Sequence, residues 1–401
     1  MSVILLVIGV ILFIGLVVIH EFGHFIMARR NGVTVEEFGI FFPPRLYKRK
    51  TKGGWIFSIN LLPLGGFVRL KGEHDSDTGK GTFGAASVWA KTKIMGAGVV
   101  MNLVVAVALF TILAIIGMPQ LVPNQFTIKG DTTVTSSKVL IGYIEPNSPA
   151  SKAGLKSTDR MVSITSKSAC DSGSTCTEQI GLGQRISNAD ELVSATKKFA
   201  GQTVYVNYYH DGTFHSVRTT LRDAKTVTDS RKTDNPKGYL GVAPNEYKLQ
   251  RSTWSAPIVA VGLTGQFTAL TFQGLGHAVA GVGSILAGAA TGNSDARQNG
   301  QTAASEQVSG PVGVFVILQD GSLIGYQFIL FIIGIISLTL AIMNILPIPA
   351  LDGGRLWLTI FTRGIGKPLS PKREEQINAS GFLFLIGLMI LITVVDVRRF
   401  F

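Results

Sequence analysis

Residues 2–30 read SVILLVIGVILFIGLVVIHEFGHFIMARR, and the reading of this stretch decides the fold. From Ser2 to Ala28 it is apolar except for the cluster His20-Glu21-Phe22-Gly23-His24, and Arg29 and Arg30 follow at once. About 20 apolar residues in a helix cross the hydrocarbon core of a bilayer. A cleaved secretory leader carries its basic residues ahead of the apolar run; here they lie behind it, so the stretch reads as a membrane span. Three more apolar runs, from about residue 93 to 118, 326 to 346 and 377 to 395, give an expectation of four spans.

Composition and charge agree with lipid as the solvent. Of 401 residues, 46% are hydrophobic and 15% charged, where ordinary soluble domains carry about 25% charged residues. The 46 glycines have no three-residue period, which excludes collagen, and two cysteines cannot staple a disulfide-rich scaffold. The net charge of +12 fits a nucleic acid, an anionic membrane surface or loops kept in the cytoplasm. Its placement decides. Arg29, Arg30, Arg45, Lys48, Arg49, Lys50 and Lys52 cluster after the first span, and Arg355, Arg363, Lys367, Lys372 and Arg373 after the third. Cationic loops stay inside, so the N-terminus and residues 120–325 are expected outside, and no nucleic-acid partner is expected. Arg398 and Arg399 fall outside in this scheme and oppose it, but they are too few to reverse it.

Ionisable side chains inside a membrane helix point to a functional site. His20 and His24 are one turn apart, so both imidazoles leave one face and can share a Zn²⁺, with Glu21 placed as a general base. The bland alternative is a pair of histidines hydrogen-bonding between helices. A catalytic zinc takes three protein ligands and keeps one position open. The third candidate is Asp352 in Asn344-Ile-Leu-Pro-Ile-Pro-Ala-Leu-Asp352-Gly353-Gly354, where Pro347 and Pro349 break the helix at the expected depth of the histidines. Without the histidine pair, Asp352 would read as a residue of a surface turn.

HEFGH in a first span with NILPIPALDGG in a later one resembles the site-2 protease family of intramembrane zinc metalloproteases, most closely its bacterial RseP-like branch. Leu62 to Leu70 looks like that family's membrane-associated β-hairpin, Ser309 to Gly313 like its motif ahead of the third span, and Gly98 to Asn102 like its second-span GPxxN motif with Val99 in place of proline. The resemblance implies zinc held by His20, His24 and Asp352, water activated by Glu21, and substrate contacts at Asn344, Gly65, Gly66, Phe67 and Asn102. It also implies single-span membrane proteins as substrates, such as trimmed anti-sigma factors and leftover signal peptides, in the inner membrane of a bacterial cell with the zinc near the cytoplasmic face.

Between spans two and three the composition becomes that of a globular domain. Residues 140–164 alternate strand, turn, short helix, turn and strand and resemble the core of a PDZ domain; residues 188–199 would be its second helix and 203–209 a strand. Such domains take extended peptides by strand addition, often with a terminal carboxylate, so peptide termini are an expected partner besides the lipid bilayer. Tyr239 to Val242 is read as a plain turn rather than a carboxylate nest. Outside a cell, Cys170 and Cys176 are expected to form a small disulfide. His210 and His215 flank an Asp211-Gly212 turn and are read as surface residues, and His277 as an interfacial or packed histidine. The Gly-rich stretch 254–290 is expected to lie along or dip into the outer leaflet, and 292–308 to be polar and flexible.

The expected fold is therefore a polytopic α-helical membrane protein with four transmembrane helices, an inserted extracytoplasmic α+β PDZ domain and a membrane-associated β-hairpin. Its divisions fall at 1–28, 29–92, 93–119, 120–246, 247–325, 326–354, 355–376 and 377–397. The rival readings are a membrane-anchored PDZ adaptor with a non-catalytic metal site, and a transporter. A structural zinc site usually closes with four ligands and needs no adjacent base, and no inverted repeat of the transporter kind is visible.

Overall fold

The structure is a computed structural model that describes residues 2–73, 77–168, 184–233, 235–295, 298–299, 310–365 and 370–400. Helix α1 (Ser2–Arg30) carries the first apolar run and ends on its two arginines, which favour a helix C-terminus. Strands β1 (Val35–Lys50) and β2 (Ile56–Leu70) follow. They fold back as four arms rather than one hairpin, because Ile40 pairs with both Gly66 and Ile59. Pro43, Pro44 and Pro63 lack amide hydrogens and Gly65 has φ +145°, so each strand bends at its middle. The arms lie in the order 66–70, 35–40, 56–60, 45–50, which leaves 66–70 as an edge. Helix α2 (Val88–Ile116) starts on Ser87, whose hydroxyl accepts from the Ala90 amide.

Residues 118–251 form a separate α+β unit. Its elements are β3 (Met118–Pro119), β4 (Thr133–Ile144), α3 (Pro149–Lys152), β5 (Arg160–Thr165), β6 (Gln184–Arg185), α4 (Ala189–Lys198), β7 (Thr203–His210), β8 (Thr213–Thr220), α5 (Ala224–Ser230) and β9 (Val242–Arg251). The seven-stranded antiparallel sheet has the order β3-β9-β4-β5-β7-β8, with β6 added on β5. Val139, Ile141, Ile164, Ala195, Val204 and Val206 are buried between the sheet and its helices. Asp211 and Gly212, both with positive φ, make the two-residue turn between β7 and β8. In the Tyr239 to Val242 segment, the Leu240 carbonyl accepts from Ala150 and that of Gly241 from Glu145. Cys170 and Cys176 lie outside the described residues.

The chain then enters α6 (Ala256–Thr291), α7 (Pro311–Ile324), α8 (Tyr326–Ile345), α9 (Asp352–Gly364) and α10 (Pro371–Phe400). Here the structure corrects the sequence reading. Among the described residues, five helices rather than four are long and apolar enough to cross a membrane, and the fifth is α6. Its glycines suggested interruption, yet it is one continuous helix of 36 residues. Gly262 allows a close approach, since a Cβ there would lie 2.3 Å from the Phe126 ring. The first half of α6 packs into the helical bundle. Ala256, Val259, Ala260, Leu263 and Phe267 share a core with Phe110 of α2 and Phe331 of α8. His277 is exposed on its far half. Residues 300–309, the larger part of the expected polar loop together with Ser309, are not described.

Candidate metal centre

Three segments distant in sequence meet at the site. Helix α1 supplies His20, Glu21 and His24, α2 packs against it, and α9 begins at Asp352. The two helices approach closely because glycines face each other's backbones and rings. A Cβ on Gly23 would lie 2.6 Å from the Ala97 carbonyl oxygen; one on Gly98 would lie 2.5 Å from His20 Nε2 and 2.6 Å from His24 Nε2. After α8 the chain turns through Pro347, Pro349 and Ala350, the last with φ +73°, and delivers Asp352 to the histidines. This reversal is tight. A Cβ on Gly353 would lie 2.3 Å from the Leu346 carbonyl oxygen, and one on Gly354 2.1 Å from that of Ile348, so both positions require glycine.

Asp352 Oδ2 lies 2.9 Å from His20 Nε2 and 3.0 Å from His24 Nε2. The ligand atoms of the three residues all fall within 4.8 Å of one another. Zinc with tetrahedral bonds of about 2.0–2.1 Å separates its ligands by roughly 3.3 Å, close to the two Asp352–histidine separations, and the chemistry of two imidazoles and a carboxylate suits the ion. The histidines are 7% and 8% exposed, and their second nitrogens are engaged: His24 Nδ1 donates to the Ile94 carbonyl at 2.7 Å, and His20 Nδ1 lies 3.2 Å from the Asn102 amide. Such outer contacts orient imidazole ligands.

Glu21 sits between this trio and the edge arm 66–70. Its carboxylate accepts from the Val68 amide, and Gly66 lies so close that a Cβ there would be 3.4 Å from Glu21 Cγ. The sheet behind that arm is pinned by Glu37, which is fully buried. Its carboxylate accepts from Ser58 Oγ at 2.7 Å and from Arg45 at 2.5 and 3.1 Å, and also pairs with Arg69.

Of the residues expected to touch substrate, Gly65 and Gly66 lie in the bend and edge beside α1. Phe67 turns its ring over Gly39 and stacks on Phe42 at 6.2 Å. Asn344 is half-buried on the last turn of α8 and donates to the Leu340 carbonyl. Asn102 requires correction: at 1% exposure it contacts His20 and offers no surface to a substrate. Ile94 and the Val68 amide were not named as parts of the site; Gly98 and Val68 fall within the second-span and hairpin motifs of the family resemblance, and Ile94 continues at a spacing of four the stripe that Gly98 and Asn102 make along α2.

Comparison with known proteins supplies the family. The model of peptidase family M50 matches residues 8–388. The chain belongs to peptidase family M50. Among its M50 relatives, a Clostridium perfringens protein carrying a zinc metalloprotease name is 27% identical over 392 residues, covering 98% of both chains. The regulator of sigma-W protease RasP of Bacillus subtilis is 26% identical, covering 98% of both chains, and the zinc metalloprotease RasP of Shouchella clausii is 24% identical, covering 97% of this chain and 98% of its own. This M50 chain is a zinc metalloprotease of the site-2 protease type, with zinc as its cofactor.

Proposed function

We propose that the chain hydrolyses peptide bonds within the transmembrane segments of single-span membrane proteins, with His20, His24 and Asp352 holding zinc and Glu21 as general base. The observation that carries this reading is the convergence of two imidazoles, one carboxylate and an adjacent glutamate between helices long and apolar enough for a membrane. Zinc bound there supplies a Lewis acid that makes water a better nucleophile and polarises the scissile carbonyl. Glu21 takes a proton from the attacking water and returns it to the leaving amine. The Val68 amide holds the Glu21 carboxylate towards the site.

A helical substrate hides its amide bonds within its own hydrogen bonds, so it must open before water can reach them. The bend Gly65-Gly66 and the Phe67 backbone, beside Glu21, offer an edge to an unwound segment, and Asn344 offers an amide to its backbone. The unit at 118–251 is read as a single PDZ domain outside the cell that filters substrates by size or reads newly made termini. The N-terminus is assigned to the same side, and the zinc to the cytoplasmic side of a bacterial inner membrane, by the basic loops, which requires α6 and the shorter apolar α7 together to return the chain to the outer side before α8. Membrane-anchored anti-sigma factors and leftover signal peptides are the proposed substrates; the name of the Bacillus subtilis relative supports a role in sigma-factor control.

The test is cleavage of a model transmembrane substrate by the wild type and by Glu21→Gln. The variant is expected to lose about 10²–10⁴-fold in rate while keeping its zinc content. Equal turnover by both would sink the mechanism.

A further inference from the structure

We propose that Asn102 is a positioning residue that sets the tautomer of His20: its Oδ1 accepts the Nδ1 proton and leaves Nε2 with the free lone pair. The proposal rests on the reading of His20, His24 and Asp352 as the zinc site. A neutral imidazole has one N–H and one lone pair, and only the lone pair can ligate a metal. For His24 the choice is forced. The Ile94 carbonyl, 2.7 Å from Nδ1, can only accept, so Nδ1 carries a proton, and in the neutral ring Nε2 keeps its lone pair for an ion held beside Asp352.

For His20 the partner is an amide, which can either donate or accept. If Asn102 Nδ2 donates to Nδ1, the His20 proton moves to Nε2 and blocks the atom that lies 2.9 Å from Asp352. In that orientation Asn102 Oδ1 is buried without a hydrogen-bond partner. Half a turn of the amide group exchanges oxygen and nitrogen and leaves Nδ2 where Oδ1 stood, so the choice between the two orientations rests on what His20 Nε2 must offer at the site. Oδ1 then accepts the Nδ1 proton, and both histidines present a bare Nε2 to the same point.

The backbone holds this arrangement in place. Ser337 Oγ of α8 donates to the Asn102 carbonyl at 2.8 Å and pins that turn of α2. Gly98, between Ile94 and Asn102 on the same stripe, lets the rings lie against the helix. One stripe of α2 thus fixes both tautomers.

The experiment measures zinc affinity by chelator competition, and the visible spectrum after cobalt substitution, on the full chain in detergent. Asn102→Leu is expected to weaken zinc binding about 10- to 100-fold. Asn102→Asp, whose carboxylate accepts the same proton, is expected to keep affinity and spectrum close to wild type. Leu at wild-type affinity, or Asp as weak as Leu, would overturn the proposal. Should Asn102→Leu not be recovered as a monodisperse protein, Asn102→Ala takes its place with the same expectation. His24→Ala separates the two readings: if its zinc affinity matched wild type, the ligand assignment itself would fail, whatever Asn102 does.

Discussion

Among the described residues, two aspartates lie within hydrogen-bond distance of histidines, Asp352 in the helical bundle and Asp159 in the sheet domain. Asp352 Oδ2 lies 2.9 and 3.0 Å from two imidazole nitrogens, and Asp159 Oδ1 lies 2.7 Å from His210 Nδ1. Distance does not tell them apart; surroundings do. Asp159 is 1% exposed, its second oxygen accepts the Lys156 amide at 2.8 Å, and its carbonyl accepts from Ile141. The carboxylate closes a turn ahead of β5, and His210 is an addition to it. In the bundle one oxygen meets two rings, the far nitrogens of those rings are already engaged, and Glu21 is the neighbour in sequence. Convergence of donors onto one point, with their other atoms occupied, distinguishes a ligand set from a cap.

The largest effect that would break this contrast comes from filling the space on which convergence depends. Gly98→Ala puts a methyl carbon 2.5 Å from His20 Nε2 and 2.6 Å from His24 Nε2, so the rings must swing away from their common point. A displacement of about 1 Å at a catalytic centre costs on the order of 10²-fold in rate. The expected outcome is a cleavage rate down by about that factor with weakened zinc binding, measured by transmembrane-substrate turnover and metal content. A fully active, zinc-loaded Gly98→Ala would mean that the rings do not work from these positions.

Why parts of this centre could be foreseen and others not follows from the range of the interactions. The spacing of His20 and His24 is local, because any helix brings positions four apart onto one face. Asp352 was legible only through the histidine pair taken together with the helix break at Pro347 and Pro349, since alone it reads as a residue of a surface turn. The partners of the imidazoles were not, because Ile94 and Asn102 lie 70 and 82 residues away and meet them only through the α1–α2 packing. The four-arm folding of β1 and β2 was likewise hidden, because a strand does not announce that its two halves pair separately. Helix α6 was undercounted for a different reason. Glycine weakens helices in water, so its many glycines looked like breaks, whereas in an apolar bundle small residues admit close neighbours, as Gly262 admits Phe126.

A smaller effect sharpens the distinction with a third carboxylate. Asp131 accepts from the Thr253 amide at 2.8 Å, the Ser255 amide at 3.1 Å and Ser255 Oγ at 2.6 Å, and also bonds the Thr253 hydroxyl, which ties the segment after α2 to the start of α6. The Ser255 hydroxyl first, then that of Thr253, holds its pKa down at about 2. Because the folded value lies below the ordinary 3.8, the ionised group stabilises the fold above about pH 4, and that contribution fades as pH falls through about 2. Asp131→Ala should therefore melt below wild type near neutral pH, with the gap closing in acid, while zinc content is unchanged. A gap independent of pH would point to lost packing instead of lost charge.

The smallest expected effect belongs to His210. Its side chain is 33% exposed, and its removal leaves Asp159 with the Lys156 amide. His210→Ala should thus cost about 1 kcal/mol, the net worth of one hydrogen bond, seen as a slight fall in melting temperature. Zinc content and cleavage of a transmembrane substrate should match wild type, because among the described residues no second ring converges on Asp159 as His24 does on Asp352. If His210→Ala instead lowered bound zinc, the sheet domain would hold metal of its own, and the rule that separates a ligand set from a cap by the convergence of donors would fail in this protein.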